Sequence, residues 1–243
     1  MIDSLAHGAV TELRIARPER RNALDTAHCR DLHAALDAAL ADGARAIVLT
    51  GEGTAFCSGA DLHTVGDAGF LDALYAMLQR VVEVPVPVVA AVNGPAIGAG
   101  TQLAIAADLR VVAEGAVFGL PTAGLGLAVD PWTVRRLALL AGGGPARRML
   151  LACERLDVTA AAGLVDRLGT PDDALAWAGE MAELAPLTLA YNKLAVNRLL
   201  EDATDPETLD ALGAAFSACW ASDDLVEGRR AREEKRAPRF VGK

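Results

Sequence analysis

Apolar and polar positions alternate from Ala9 to Ile15, the signature of a half-buried strand. After a polar link the period lengthens. Leu32, Ala35, Leu36, Ala39 and Leu40 share one face of a helix that Asp25 or Thr26 can cap and Gly43 ends. Ala46 to Thr50 is a short apolar run, and 70–84 reads as a helix halted by Pro85 and Pro87. Val88 to Val92 is apolar and β-branched, as a strand covered on both faces requires. Leu109 to Ala113 predicts another strand, and 117–127 a loop with three glycines. Asp130-Pro131 opens a helix with Asp as cap and Pro in the first position. Pro145 to Cys153 predicts a further helix, Thr159 starts a short one, and 164–168 can be a strand. Thr170-Pro171 and Asp205-Pro206 carry the same helix-start chemistry as Asp130-Pro131. Residues 1–185 thus form an alternating α/β core with right-handed crossovers, and 186–243 a helical tail.

The chain is organised around 88–108, VVAAVNGPAIGAGTQLAIAAD. A buried strand runs into Asn93-Gly94-Pro95, a turn, and then into the small residues Gly98-Ala99-Gly100. The helix that follows is too apolar for the surface. Backbone N–H groups beside a helix N-terminus are suited to negative charge. The turn is therefore read as the receiver of an oxygen that becomes negative during a reaction.

Composition narrows the possibilities. With 243 residues, 52% of them hydrophobic, the chain can bury one large core. A formal net charge of −9 argues against nucleic acid as the main partner. Basic clusters at Arg17, Arg20 and Arg21 and from Arg229 to Arg239 can face phosphates or simply water. Four cysteines show no metal-ligand spacing, no metal site is expected, and reduced thiols point to the cytoplasm. No signal peptide and no membrane span are expected.

Familiar motifs fail. Residues 98–103 lack the third glycine of a dinucleotide fingerprint, and no phosphate loop of the GxxxxGK[ST] kind occurs. Ser58 lacks the glycine of a nucleophile elbow. Cys57 has no histidine placed to activate it and reads as a packed loop cysteine. His28 and His33 do not share a helix face.

Two segments belong together: 46–62, AIVLTGEGTAFCSGADL, and 88–108. They resemble the paired signatures of the crotonase superfamily, the enoyl-CoA hydratases and isomerases. The likeness extends to 17–24 (RPERRNAL), 118–137 and 220–240. It implies an α/β fold with a ββα-spiral core, a C-terminal helical trimerisation region, and a homotrimer or dimer of trimers. It also implies a coenzyme A thioester as ligand, with no other cofactor, and a place in fatty-acid metabolism. By motif position the oxyanion hole is the backbone N–H groups of Ala60 and Ala99. Coenzyme A would lie along Arg20, Arg21, Ala60, Asp61 and Leu62, with Trp220, Arg239 and Phe240 either joining it or packing the tail.

The sequence departs from the hydratases at the two positions that carry glutamates in the family, here Gln102 and Thr122. Neither residue can titrate usefully, so the water-activating pair is missing. Asp130 is the one nearby carboxylate, a candidate base for moving a proton, a candidate nucleophile, or only a helix cap. Trp132 beside it can line an acyl pocket or the core. Three readings follow: one-base isomerisation of an enoyl thioester through Asp130, with Gln102 and Thr122 orienting it; a non-catalytic acyl-CoA carrier; and an ordinary hydratase.

Overall fold

A computed structural model describes residues 1–64, 66–201, 217, 220–236 and 238. Strands β1 (Ile2–His7) and β2 (Val10–Ile15) form an antiparallel hairpin at one end of a six-stranded sheet. Parallel strands follow: β3 (Ala46–Gly51), β4 (Val88–Val92), β6 (Leu109–Val112) and β9 (Arg167–Leu168), in the order β1-β2-β3-β4-β6-β9. A second sheet joins β5 (Ala96–Ile97), β7 (Val117–Gly119) and β8 (Leu156–Asp157).

Strands β3 and β4 are buried at every position because both faces of the large sheet are covered. Ile47, Leu49, Val88, Ala90 and Val92 face the main core. That core is completed by helices α1 (Thr26–Ala41), α2 (Phe70–Glu83) and α3 (Ala99–Ala106). Ala46, Val48, Val89, Ala91 and Val111 face the other way, onto Ala174, Ala178 and Ala182 of α6 (Pro171–Ala182). Small residues on α6 let it lie close against the sheet.

Helix α1 starts where its cap chemistry says, with the Asp25 carboxylate accepting the His28 N–H at 2.9 Å. Helix α4 (Pro131–Ala141) is capped by Asp130, and α5 (Gly143–Leu151) follows. Thr170 and Asp173 form a reciprocal capping box on α6.

The structure departs from the sequence reading in three places. Ile2–His7 is a strand, although its mostly exposed edge position left no apolar alternation to read. The stretch 117–127 is not all loop: β7 and a 3-10 turn at Ala123–Leu125 occupy most of it. Past Thr159 there is a 3-10 turn at Ala162–Leu164, and β9 is confined to two residues.

The tail folds back on the core through helices α7 (Pro186–Glu201) and α8 (Asp223–Glu233). Lys193 donates to the Val81 and Val86 carbonyls at 3.2 and 3.0 Å and pairs with Asp108 at 2.8 Å. The helix start expected at Asp205-Pro206 lies outside the described residues.

Arg110 on β6 is 2% exposed and donates to Asp166 at 2.6 Å, while the same carboxylate oxygen accepts the Arg110 backbone N–H. This pair fastens the segment before β9 to the sheet. Asp166→Ala removes the carboxylate that pairs with a buried guanidinium and should cost about 3 kcal/mol, read as a lower midpoint in urea unfolding. An unchanged midpoint would contradict this role.

Candidate active site

The site begins with two loops that run side by side. Cys57 and Ala96 form a parallel bridge: the Cys57 N–H donates to the Pro95 carbonyl at 3.2 Å, and the Ile97 N–H to the Cys57 carbonyl at 2.9 Å. A β-carbon at Gly100 would stand 2.1 Å from the Cys57 carbonyl oxygen, so only glycine allows this approach. At Gly59 φ is +105°, and a β-carbon there would meet the Ile97 carbonyl at 2.8 Å and the Ala99 nitrogen at 3.6 Å. The two chains are therefore in backbone contact at Gly59 and Ala99. Thr101 locks the second loop, donating to the Ala96 carbonyl at 2.6 Å and accepting the Gly119 N–H at 3.1 Å.

Asn22, fully buried, fixes the first loop. Its amide nitrogen donates to the Glu52 and Ala55 carbonyls at 2.9 and 2.8 Å, and its oxygen accepts the Arg17 N–H at 3.0 Å. Leu24 then bridges to Ala60 in parallel, bonding the Gly59 carbonyl and the Asp61 N–H. In such a bridge the intervening residue turns its own N–H away. The Ala60 N–H is thus directed from Leu24, and Ala99 opens α3, where no helical acceptor exists. Neither N–H bonds to any described residue.

Both alanines line a cavity of about 570 Å³. The mouth carries Arg20, Arg21, Arg155 and Arg232. Phe70, Leu71, Leu74, Leu125, Leu127 and Val129 supply apolar wall, and Trp220 closes one side while donating to the Ala128 carbonyl at 3.2 Å. Gln102, Thr122, Asp61 and Leu62 also face it. The cavity therefore gathers nearly all the site residues expected from the sequence. Arg239 and Phe240 lie outside the described residues. Asp61 is already engaged, since Arg17 donates to its carboxylate at 2.9 Å and the His63 N–H at 3.1 Å.

Asp130 is placed differently. It is not among the residues lining the cavity, and it lies beside Tyr75 and Thr133. Thr133 donates its backbone N–H to one Asp130 oxygen at 2.9 Å and its hydroxyl to the other at 2.6 Å. Gln102, 3% exposed, donates to the same Thr133 hydroxyl at 2.9 Å. The Tyr75 hydroxyl bonds to Asp130 and Gln102; burial and the Asp130 charge push its pKa well up, so it stays a neutral phenol. Trp132 packs on the core with the Arg136 guanidinium 5.5 Å from its ring centre, and is not part of the cavity wall. Arg232 belongs to the basic cluster at 229–239; Tyr75, Thr133 and Arg155 were not singled out in the sequence. Tyr75 carried no signal there, because an aromatic at helical spacing reads as core. Among the described residues, no group of His, Cys, Asp or Glu is arranged to hold a metal.

The twin sheets, the buried α3 and the cleft between glycine-tight loops define a crotonase-type α/β protein. A model of the enoyl-CoA hydratase/isomerase family matches residues 6–243. The chain is 47% identical over 239 residues to a probable enoyl-CoA hydratase, echA6, of Mycobacterium tuberculosis, covering 96% of each. It is 32% identical over 246 residues to a crotonyl-CoA hydratase of Syntrophomonas wolfei, covering 95% of this chain and 94% of that one. An enoyl-CoA hydratase/isomerase structure from Pseudoalteromonas atlantica superposes with a TM-score of 0.85 at 30% identity, covering 99% of both chains. Methylmalonyl-CoA decarboxylase in complex with 2-nitronate-propionyl-CoA shares the fold, with a TM-score of 0.91 at 23% identity over 100% of this chain and 98% of that one. The chain belongs to the enoyl-CoA hydratase/isomerase family.

Burial pushes the Cys57 and Cys29 thiols up to about 12, which leaves almost no thiolate at neutral pH. Iodoacetamide at pH 8 should therefore leave both unlabelled in the folded protein and label them after unfolding. Peptide mass spectrometry reads this directly, and labelling of native Cys57 would contradict its packed role.

Proposed function

We propose that the cleft binds an acyl-CoA thioester and holds its carbonyl oxygen between the Ala60 and Ala99 N–H groups. The observation that carries this reading is the pair of unpaired N–H donors, brought from two loops to one cavity wall. Loss of a proton from the carbon beside a thioester carbonyl puts negative charge on that oxygen. Each donor aimed at such an oxygen is worth about 3 kcal/mol in comparable sites. The exposed guanidinium groups of Arg20, Arg21 and Arg232 suit the phosphates of coenzyme A. Ala60, Asp61 and Leu62 serve the coenzyme through backbone, since the Asp61 carboxylate is held by Arg17. The acyl-CoA names of the relatives agree with this ligand class. The exposed Leu187, Tyr191 and Leu194 of α7 support the homotrimer expected from the family.

Hydration needs two groups that exchange protons with water and carbon. Gln102 and Thr122 cannot supply them. Moving a double bond needs one base, and the Asp130 cluster holds the carboxylate nearest to Gln102. A second reading, an acyl-CoA carrier without turnover, is favoured by one observation: Thr133 donates to both Asp130 oxygens, so the carboxylate is engaged as a helix cap.

Calorimetry with butyryl-CoA should show saturable binding, and its absence would remove the acyl-CoA reading. Crotonyl-CoA should keep its conjugated absorbance in the presence of the protein; rapid loss would restore the hydratase. Deuterium uptake at the α- and γ-carbons of an enoyl-CoA should occur in the wild type and fall at least 100-fold in Asp130→Asn. Binding without uptake at any chain length selects the carrier.

A further inference from the structure

Asp130 is not among the residues that line the cavity. Its neighbours Val129, Tyr75 and Gln102 line it instead. Its two oxygens are turned to Thr133. Gln102 is tied to the same Thr133 hydroxyl and carries no proton to give or take. That leaves Tyr75, which lines the cavity and whose hydroxyl bonds to the Asp130 carboxylate. We propose that Tyr75 is the catalytic residue that meets the acyl chain, and that Asp130 is a positioning residue that acts through it. This rests on the cleft being an acyl-CoA site.

The step balances as a double transfer. The γ-carbon of the enoyl chain loses a proton to the Tyr75 oxygen as the Tyr75 proton passes to Asp130. The electron pair of the broken C–H bond moves through the chain onto the thioester oxygen. Return of a proton from Tyr75 to the α-carbon, with Asp130 giving its proton back, completes the shift of the double bond. At no point does a free phenolate exist, which suits a phenol that burial and a neighbouring carboxylate keep protonated. No oxidant, metal or water is consumed.

The chain has only two tyrosines, and Tyr191 is 68% exposed on α7. In a Tyr191→Phe background, tyrosine labelled with carbon-13 at Cζ reports on Tyr75 alone. Butyryl-CoA, which cannot isomerise, should move that resonance, and free coenzyme A should move it much less. Asp130→Asn should move it in the unliganded protein. Tyr75→Phe should lower deuterium uptake at least 100-fold while the Kd for butyryl-CoA changes less than about threefold. A Cζ resonance that is identical with and without saturating butyryl-CoA overturns the proposal. So does undiminished uptake in Tyr75→Phe, which would return the proton to Asp130 directly. Failure of butyryl-CoA to bind at all would overturn the acyl-CoA reading itself. Binding and a Cζ shift without uptake in the wild type would overturn the relay and leave the binding site standing.

Discussion

The contact on which the site depends is between two backbones, not two side chains. Residues 55–60 and 95–100 lie so close that Gly59 and Gly100 have no room for a β-carbon. Each loop is then pinned from outside, the first by Asn22 and the second by Thr101. The Ala60 and Ala99 N–H groups have no protein acceptor and face the cavity. The surrounding bonds hold them in place. Such preorganisation is what lets a dipole stabilise new charge without first reorienting.

Much of this was legible from residue types. Val88 to Val92 could be read because both its faces are buried, so its apolar run is unbroken. Caps at Asp25, Asp130 and Thr170 are local chemistry and were readable for the same reason. Interactions between distant positions were not. The carbonyls that Asn22 holds are 30 and 33 residues away, and no spacing rule points to them. Two-residue strands such as β5 and β8 are too short to show a period. The alanines could be placed by motif, but the freedom of their N–H groups needed the bridges at Cys57 and Leu24.

Asp130 shows the same limit. Its position beside proline marks a helix cap, and the cap is there, with the Thr133 N–H at 2.9 Å. What the pattern cannot convey is depth. One residue earlier, Val129 faces the cavity; Asp130 turns the other way, toward Thr133. A residue on α2, 55 positions upstream in a stretch without a distinctive pattern, fills the gap.

The polar cluster also bears on why glutamates need not be present. A second carboxylate beside Asp130 would place like charges together, raising one pKa and disturbing the Thr133 bonds. Gln102 keeps the shape of a glutamate without its charge, and its bond to Thr133 uses an N–H that a carboxylate lacks. The Thr133 hydroxyl has a single proton, and Asp130 takes it at 2.6 Å. A glutamate at position 102 would meet only the hydroxyl oxygen, acceptor against acceptor. Gln102, Thr133 and Asp130 are therefore one unit whose donor directions agree, and restoring one hydratase residue conflicts with the other two.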